Sequence, residues 1–151
     1  MRDNARLPDD VELFFQFKHA HQRLTAAVAR RVEEATGVPA AQVSAAIHLA
    51  LMGPCLVGEL GERLGLNSAG ITGLVSRLEQ RHLVQREPDP RDRRAVRLRL
   101  TDDGREVADR ARPVIAACAE RLTAGLSDGE TEVVTRFLAS VTHTFTEGAV
   151  P

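Results

Sequence analysis

From Asp9 or Asp10 onward, apolar residues recur at Val11, Phe14, Phe17, Leu24, Val28 and Val32, a helical period that begins on acids, reaches about Glu34 and closes at Gly37. This spacing predicts a long first helix. Residues 40–51, AAQVSAAIHLAL, predict a shorter, more apolar helix that stops before Gly53-Pro54. In the stretch VGELGERLGLNSAGITGLVSRLEQRHLV, Leu60 and Leu64 mark one short helix, and Ile71, Leu74, Val75 and Leu78 mark a second. Only Gly65-Leu66-Asn67 separates them, with Gly65 free to turn sharply and Asn67 suited to cap the second helix. Two short helices around such a turn predict a helix-turn-helix.

The period then changes. Val96, Leu98 and Leu100 alternate with Arg97 and Arg99, as in a half-buried strand, and LVQRE before Pro88 is the strand it pairs with. The tip between them, PDPRDRR, is too long and too rich in proline for a tight turn. A hairpin directly after a helix-turn-helix forms a wing. From Thr101, an N-cap residue followed by two acids, a helix runs through Val107, Val114, Cys118 and Leu122, and Pro113 is expected to kink or divide it. Ser127 and Glu130 form a capping box for a last helix with Val133, Phe137, Val141 and Phe145 on one stripe. The expected fold is mainly α with a small β-hairpin wing, a winged helix-turn-helix at residues 39–101 between terminal helices at 1–38 and 102–151 in one intertwined domain.

Composition narrows this picture. With 151 residues, 43% hydrophobic and 27% charged, the chain suits an ordinary globular protein with a real core. MRDNARLPDD has no apolar segment of the kind a secretory signal carries, and no run of 18 or more apolar residues suggests a membrane span, so the cytoplasm is the expected location. Charge is unevenly placed. The segment from Arg77 to Arg99 holds eight arginines against four acids, whereas the whole chain has a formal net charge of −1. A basic segment on an acidic body is expected where one face meets nucleic acid.

Two groups of residues carry that expectation. With Ile71, Leu74, Val75 and Leu78 buried, the second helix of the helix-turn-helix turns Ser68, Ala69, Thr72, Gly73, Ser76 and Gln80 outward, with Arg77 at the flank. A small polar face lets a helix lie deep in a major groove, where Thr and Ser reach base edges. An ordinary solvent face more often carries Glu, Lys and Arg, which form helices better than Gly and Ser. At the wing tip, Arg91, Arg93 and Arg94 are suited to the enhanced potential of a narrow minor groove, and Asp92 is placed to orient the Arg94 guanidinium.

These residues carry a resemblance. GELGERLGLNSAGITGLVSRLEQRHLVQREPDPRDRRAVRLRLTDDG resembles the winged-helix core of the MarR family, the multiple-antibiotic-resistance type of bacterial transcription regulators, above all in the D-x-R-D-x-R wing of Asp89 to Arg94 and the LT-x-x-G of Leu100 to Gly104. By helix order and length it extends over nearly all of the chain. The resemblance implies a homodimer built by the first and last helices, binding to a pseudo-palindromic double-stranded operator, and release by a small molecule or an oxidant. By position, Arg94 corresponds to the wing arginine that enters the minor groove. Two departures stand out: His82 occupies the place of a usual glycine, which puts a non-glycine residue in a left-handed backbone or ends the helix differently, and Ser76 replaces a common Asp.

Dimerisation has support in the residues themselves. All five aromatics, Phe14, Phe15, Phe17, Phe137 and Phe145, lie outside the helix-turn-helix and wing, and two-fold dimers match paired half-sites. Packing of one terminal helix on the other is the competing reading. For sensing, His21 and His48 fall on helices that can line a pocket for a small aromatic or phenolic effector, although a hydrogen-bonded structural histidine is the commoner role. His19 and His21 are two apart and point to different helix faces, so no metal site is expected. A thiol switch needs an exposed cysteine of low pKa; Cys55, expected in a loop after Gly53-Pro54, is the better candidate than Cys118, and a buried small hydrophobe is the commoner role of both. No catalytic or cofactor motif is present, so neither an enzyme nor a cofactor is expected. A winged-helix interaction module that does not bind DNA remains the rival, distinguished by whether the wing is basic or apolar.

Overall fold

Gly37 ends the first amphipathic stretch by taking a left-handed backbone (φ 71°) and donating its N–H to the Glu33 carbonyl. The computed structural model, which describes residues 8–92 and 94–146, thus begins with α1 (Asp9–Thr36). It continues with α2 (Ala40–Met52), β1 (Cys55–Leu56), α3 (Val57–Leu64), α4 (Ser68–Gln80), β2 (Val84–Pro88), β3 (Val96–Leu100), α5 (Asp102–Thr123) and α6 (Asp128–Thr146). Two compact units divide the chain, one ending at Ile115 and the other beginning at Ala116, so the division falls inside α5.

The first unit holds the core. α2 touches α1, α3, α4 and β3, and it can do so because its inner face is small: Ala45 and Ala46 are fully buried beside Val43 and Leu49. Against it pack Ile71, Leu74, Val75 and Leu78 of α4, the residues that the helical period selects, with Leu60 of α3 and Leu98 of β3. Truncating such a side chain to Ala costs about 2–5 kcal/mol. Gly61 matters to the α3–α4 contact, since a Cβ there would lie 3.3 Å from the Ile71 Cβ.

The sheet has one strand more than the alternation predicts. β2 and β3 pair antiparallel with Val84 opposite Leu100 and Pro88 opposite Val96, and β1 adds to the other side of β3 with Cys55 opposite Leu98. Cys55 is therefore not in a loop. A two-residue strand is too short to show a period, and only its pairing with β3 defines it. Pro113 likewise does not divide its helix, for α5 is continuous across it; both Pro113 and Asp109 are exposed, so the hydrogen bond lost to the missing N–H falls on the solvent side of the helix and not in the core.

At the base of the wing three elements meet on one carbonyl. α4 closes with the Leu83 N–H on the Leu78 carbonyl, and His82 supplies the left-handed residue (φ 57°) that this closure needs, so the departure from glycine is accommodated by strain. The Thr101 N–H then donates to the Leu83 carbonyl at 3.1 Å. The Thr101 hydroxyl donates to the His82 carbonyl at 2.6 Å and accepts the Gly104 N–H at 3.0 Å, which starts α5. Gly104 is required by this closeness: a Cβ there would stand 2.0 Å from the Leu83 carbonyl oxygen and 2.8 Å from Leu100 Cδ2. α6 starts on the expected capping box, in which Glu130 accepts from the Ser127 N–H at 2.8 Å and from its hydroxyl at 2.7 Å.

Gly104→Ala is expected to lower stability by about 3 kcal/mol through this backbone clash, whereas Gly58→Ala, which meets nothing within 4 Å, stays neutral or gains up to about 1 kcal/mol from helix propensity. Urea denaturation of the two variants checks this, and equal midpoints would refute it.

Candidate nucleic-acid interface and effector cavity

α4 begins at Asn67, whose side chain accepts the Gly70 N–H at 2.9 Å. With its apolar face on α2 and α3, the helix exposes Ser68, Ala69, Thr72, Ser76 and Arg77, and Gly73 is half-buried beside the Arg77 guanidinium. The Thr72 hydroxyl donates to the Ser68 carbonyl at 2.7 Å, which leaves its oxygen able to accept. The expected reading face is thus assembled on one exposed surface, and its single charge is Arg77.

The wing separates its arginines into two sets. Arg86 pairs with Glu79 (2.8 Å), Arg97 with Asp89 (3.2 Å) and Arg99 with Glu87 (2.7 Å). These three hold the hairpin and tie it to α4. Arg77, Arg81, Arg91 and Arg94 are exposed and enter no ion pair among the described residues; Arg93 lies outside the described residues. Acids are consumed in building the wing, so the cations it leaves over face solvent.

Asp89 organises the tip, a role that its place as first residue of the motif signals only in retrospect. It is 8% exposed. Its Oδ1 accepts the N–H groups of Arg91 (2.7 Å) and Asp92 (3.1 Å), its Oδ2 faces Arg97, and its own N–H donates to the Ala95 carbonyl at 3.0 Å. The Arg91 N–H, followed by that of Asp92 and the charges of Arg97 and Arg91, holds its carboxyl below the usual range against the opposing effect of burial. Asp92 does not do what its spacing suggests. Its carboxylate accepts the backbone N–H of Arg94 at 2.9 Å instead of gripping the guanidinium, because a carboxylate two residues upstream reaches the local N–H in an Asx-type turn before it reaches the end of a long side chain.

A second feature lies within the first unit. A cavity of about 650 Å³ is lined by α1 (Leu24, Thr25, Val28), by α2 (Ser44, Ile47, His48) and by Ile115 of α5. His48 is among the lining residues, with Nδ1 2.8 Å from the Ser44 carbonyl. His21 does not line it and is exposed on α1. Cys55 fails the conditions for a thiol switch: it is 4% exposed, and burial, then the charge of Glu59, pushes its thiol up despite Arg97. Cys118 is half-buried. No group of three or more metal-ligating side chains comes together among the described residues, and no single helix among them is long and apolar enough to cross a membrane.

The terminal helices expose large apolar side chains. On α1, Leu13, Phe14 and Phe15 are each more than half exposed; on α6, Val133 and Phe145 are as well.

Helix-turn-helix, wing and continuous α5 define a winged helix-turn-helix protein. Residues 36–95 match the model of the MarR family. The chain is 31% identical over 104 residues to the HTH-type transcriptional repressor MdtR of Bacillus subtilis, covering 69% of this chain and 65% of that one. It is 38% identical over 78 residues to the repressor NicR of Pseudomonas putida, covering 52% and 49%. Among solved structures, the PcaV transcriptional regulator from Streptomyces coelicolor, in complex with its natural ligand, superposes with a TM-score of 0.69 at 28% identity, covering 95% of this chain and 96% of that one. Residues 36–95 thus carry the winged-helix region of the MarR family, whose matched relatives are transcriptional regulators and not enzymes. It spans about half the length of the first curated relatives it matches.

Because the folded-state pKa of Asp89 is depressed, its contribution to the wing is complete at neutral pH and fades as pH falls through that pKa. An NMR titration is expected to give Asp89 a midpoint below the usual carboxylate value of about 3.9, with the Arg91 and Asp92 amide signals moving at the same midpoint. An ordinary midpoint, or amides that ignore it, would remove Asp89 from its organising role.

Proposed function

We propose that this chain is a homodimeric, sequence-specific regulator of transcription that acts in the cytoplasm on a pseudo-palindromic double-stranded operator, as a repressor released by a small molecule. The observation that carries the reading is the small polar face of α4 beside a wing whose acids are spent on scaffold contacts, leaving Arg91 and Arg94 outward. Ser68, Ala69, Thr72, Gly73, Ser76 and Arg77 enter the major groove, where they meet base edges and thymine methyls. Arg94 enters the minor groove, and Arg91 and Arg93 neutralise phosphates. The apolar surfaces of α1 and α6 are covered by a second copy, since patches of this kind mark association sites. NicR and MdtR are named as repressors, and PcaV was solved with its natural ligand; the α1–α2 cavity is the effector site in this reading. A ligand there bears on α2, which contacts both helices of the helix-turn-helix and β3, so its binding shifts the lobe that reads DNA.

Selection from a random duplex pool, followed by anisotropy titration across salt concentrations, is expected to return a palindrome bound by a dimer with a steep negative salt slope. Arg94→Ala should cost specific affinity about 10- to 100-fold, corresponding to about 1–3 kcal/mol, and Arg91→Ala should weaken all duplexes alike and flatten the slope. Undiminished specific affinity in Arg94→Ala would refute the minor-groove role; no enriched sequence, with weak binding at every salt, would favour a protein partner for the wing. In sedimentation, the native chain should run as a dimer and the double variant Phe14→Arg/Phe145→Arg as a folded monomer. Dimers in both would overturn the terminal-helix interface.

A further inference from the structure

A second, smaller cavity of about 230 Å³ lies in the first unit, lined by the end of α2, by Gly53-Pro54, by β3 and by the first half of α5. It shares no lining residue with the α1–α2 cavity, and neither the groove contacts nor the terminal-helix interface proposed above involve its residues. Three guanidinium groups line it together, those of Arg99 from β3 and of Arg105 and Arg112 from α5, against one carboxylate, Asp109. Arg105, Asp109 and Arg112 stand four and then three positions apart, so one face of α5 carries all of them. Leu49, Ala50 and Pro54 supply an apolar wall.

The guanidinium groups are anchored without being used up. Arg99 gives Nε and Nη2 to the Glu87 carboxylate at 2.7 and 3.3 Å. Arg105 gives Nη1 to the Leu100 carbonyl at 3.2 Å and Nη2 to Asp102 at 2.6 Å. A guanidinium offers more N–H donors than these contacts take, so both keep donors for another partner. Arg112 Nη1 stands 3.5 Å from Asp109 Oδ1, too far for a good hydrogen bond. The side chains of Asp102 and Asp109 are 95% and 66% exposed, so water screens what they subtract from the arginines' charge. Anchored donors around one cavity suit an anion with several acceptor oxygens.

We infer that this cavity binds a small organic phosphate monoester, with the phosphate on Arg99, Arg105 and Arg112 and the ester carbons on the wall of Leu49, Ala50 and Pro54. A phosphate's three terminal oxygens answer three guanidinium groups, whereas a carboxylate has only two. The diester of a nucleic-acid backbone also has only two free oxygens and a single charge. The volume lies below the range of about 300–1,000 Å³ usual for drug-sized ligands, which suits a short ester.

NMR titrations of the full chain at about pH 8, where a monoester carries close to two charges, test this with ethyl phosphate, inorganic phosphate, diethyl phosphate and butyrate. Ethyl phosphate is expected to bind about threefold or more tightly than inorganic phosphate, through its carbons, and about tenfold or more tightly than diethyl phosphate and butyrate. Arg112→Gln should weaken it about tenfold, and Asp109→Asn, which removes the carboxylate competing for Arg112, should strengthen it severalfold. Arg121→Gln, on α5 outside the cavity, should leave it unchanged. All three positions are exposed, so the variants keep the fold. If inorganic phosphate or butyrate binds as well as ethyl phosphate, the ligand class is wrong; if diethyl phosphate does, the cavity is a contact for nucleic-acid backbone. Either result overturns the inference, as does a failure of ethyl phosphate to shift the cavity resonances, or an affinity that Arg112→Gln and Asp109→Asn leave unchanged or that Arg121→Gln lowers as much as Arg112→Gln.

Discussion

The Leu83 carbonyl is the point on which the winged-helix geometry turns. It receives the Thr101 N–H from the end of β3, stands directly over Gly104 at the start of α5, and follows the left-handed turn at His82 that ends α4. The end of α4, the wing base and the start of α5 are thereby held within hydrogen-bond distance of one another, with no side chain between α5 and the turn. A close approach of this kind fixes relative orientation more tightly than apolar packing does, because a clash with backbone cannot be relieved by a change of rotamer. The Thr101 hydroxyl completes the junction by serving as donor to one element and acceptor to the next.

Charge in the wing is organised by subtraction. Glu79, Glu87 and Asp89 neutralise Arg86, Arg99 and Arg97, while Asp92 is occupied with backbone. The paired arginines are not idle, since they fix the hairpin's shape and its attachment to α4. Those left over, Arg91 and Arg94 among them, sit on a tip whose backbone Asp89 has already ordered. Pre-ordering lowers the entropy lost when a loop meets a partner; the electrostatic field comes from the unpaired cations and the precision from the paired ones.

Much of this was legible in the sequence. The 3.6-residue period of Ile71, Leu74, Val75 and Leu78 gave the buried face of α4, and therefore its outward face, because a helix has only one angular degree of freedom to assign. Gly37, Asn67 and the Ser127–Glu130 pair located ends correctly, since each acts on backbone groups within three or four residues of itself. Failures came where a contact is distant or short. β1 needs a partner more than 40 positions away, as its register with Leu98 and Arg97 shows. Asp92 meets the Arg94 backbone N–H and not its guanidinium because spacing counts residues but not the length of an arginine side chain. His21 and His48 both lie on helices in the sequence, and only the approach of α1 to α2 separates the one that lines the cavity from the one that faces solvent.

The shape of the small sheet has a consequence for how this protein behaves when crowded. A hairpin that must project into solvent also offers unpaired strand edges to any neighbour able to extend it. Here β3, which has a partner on each side, is interior to the sheet, one edge is the two-residue β1, and the other, β2, carries Arg86 and Glu87 and ends in Pro88. Short strands, charges and proline are the devices by which exposed sheets avoid edge-to-edge pairing. The wing can thus stay extended and accessible at high local concentration without seeding β-aggregation.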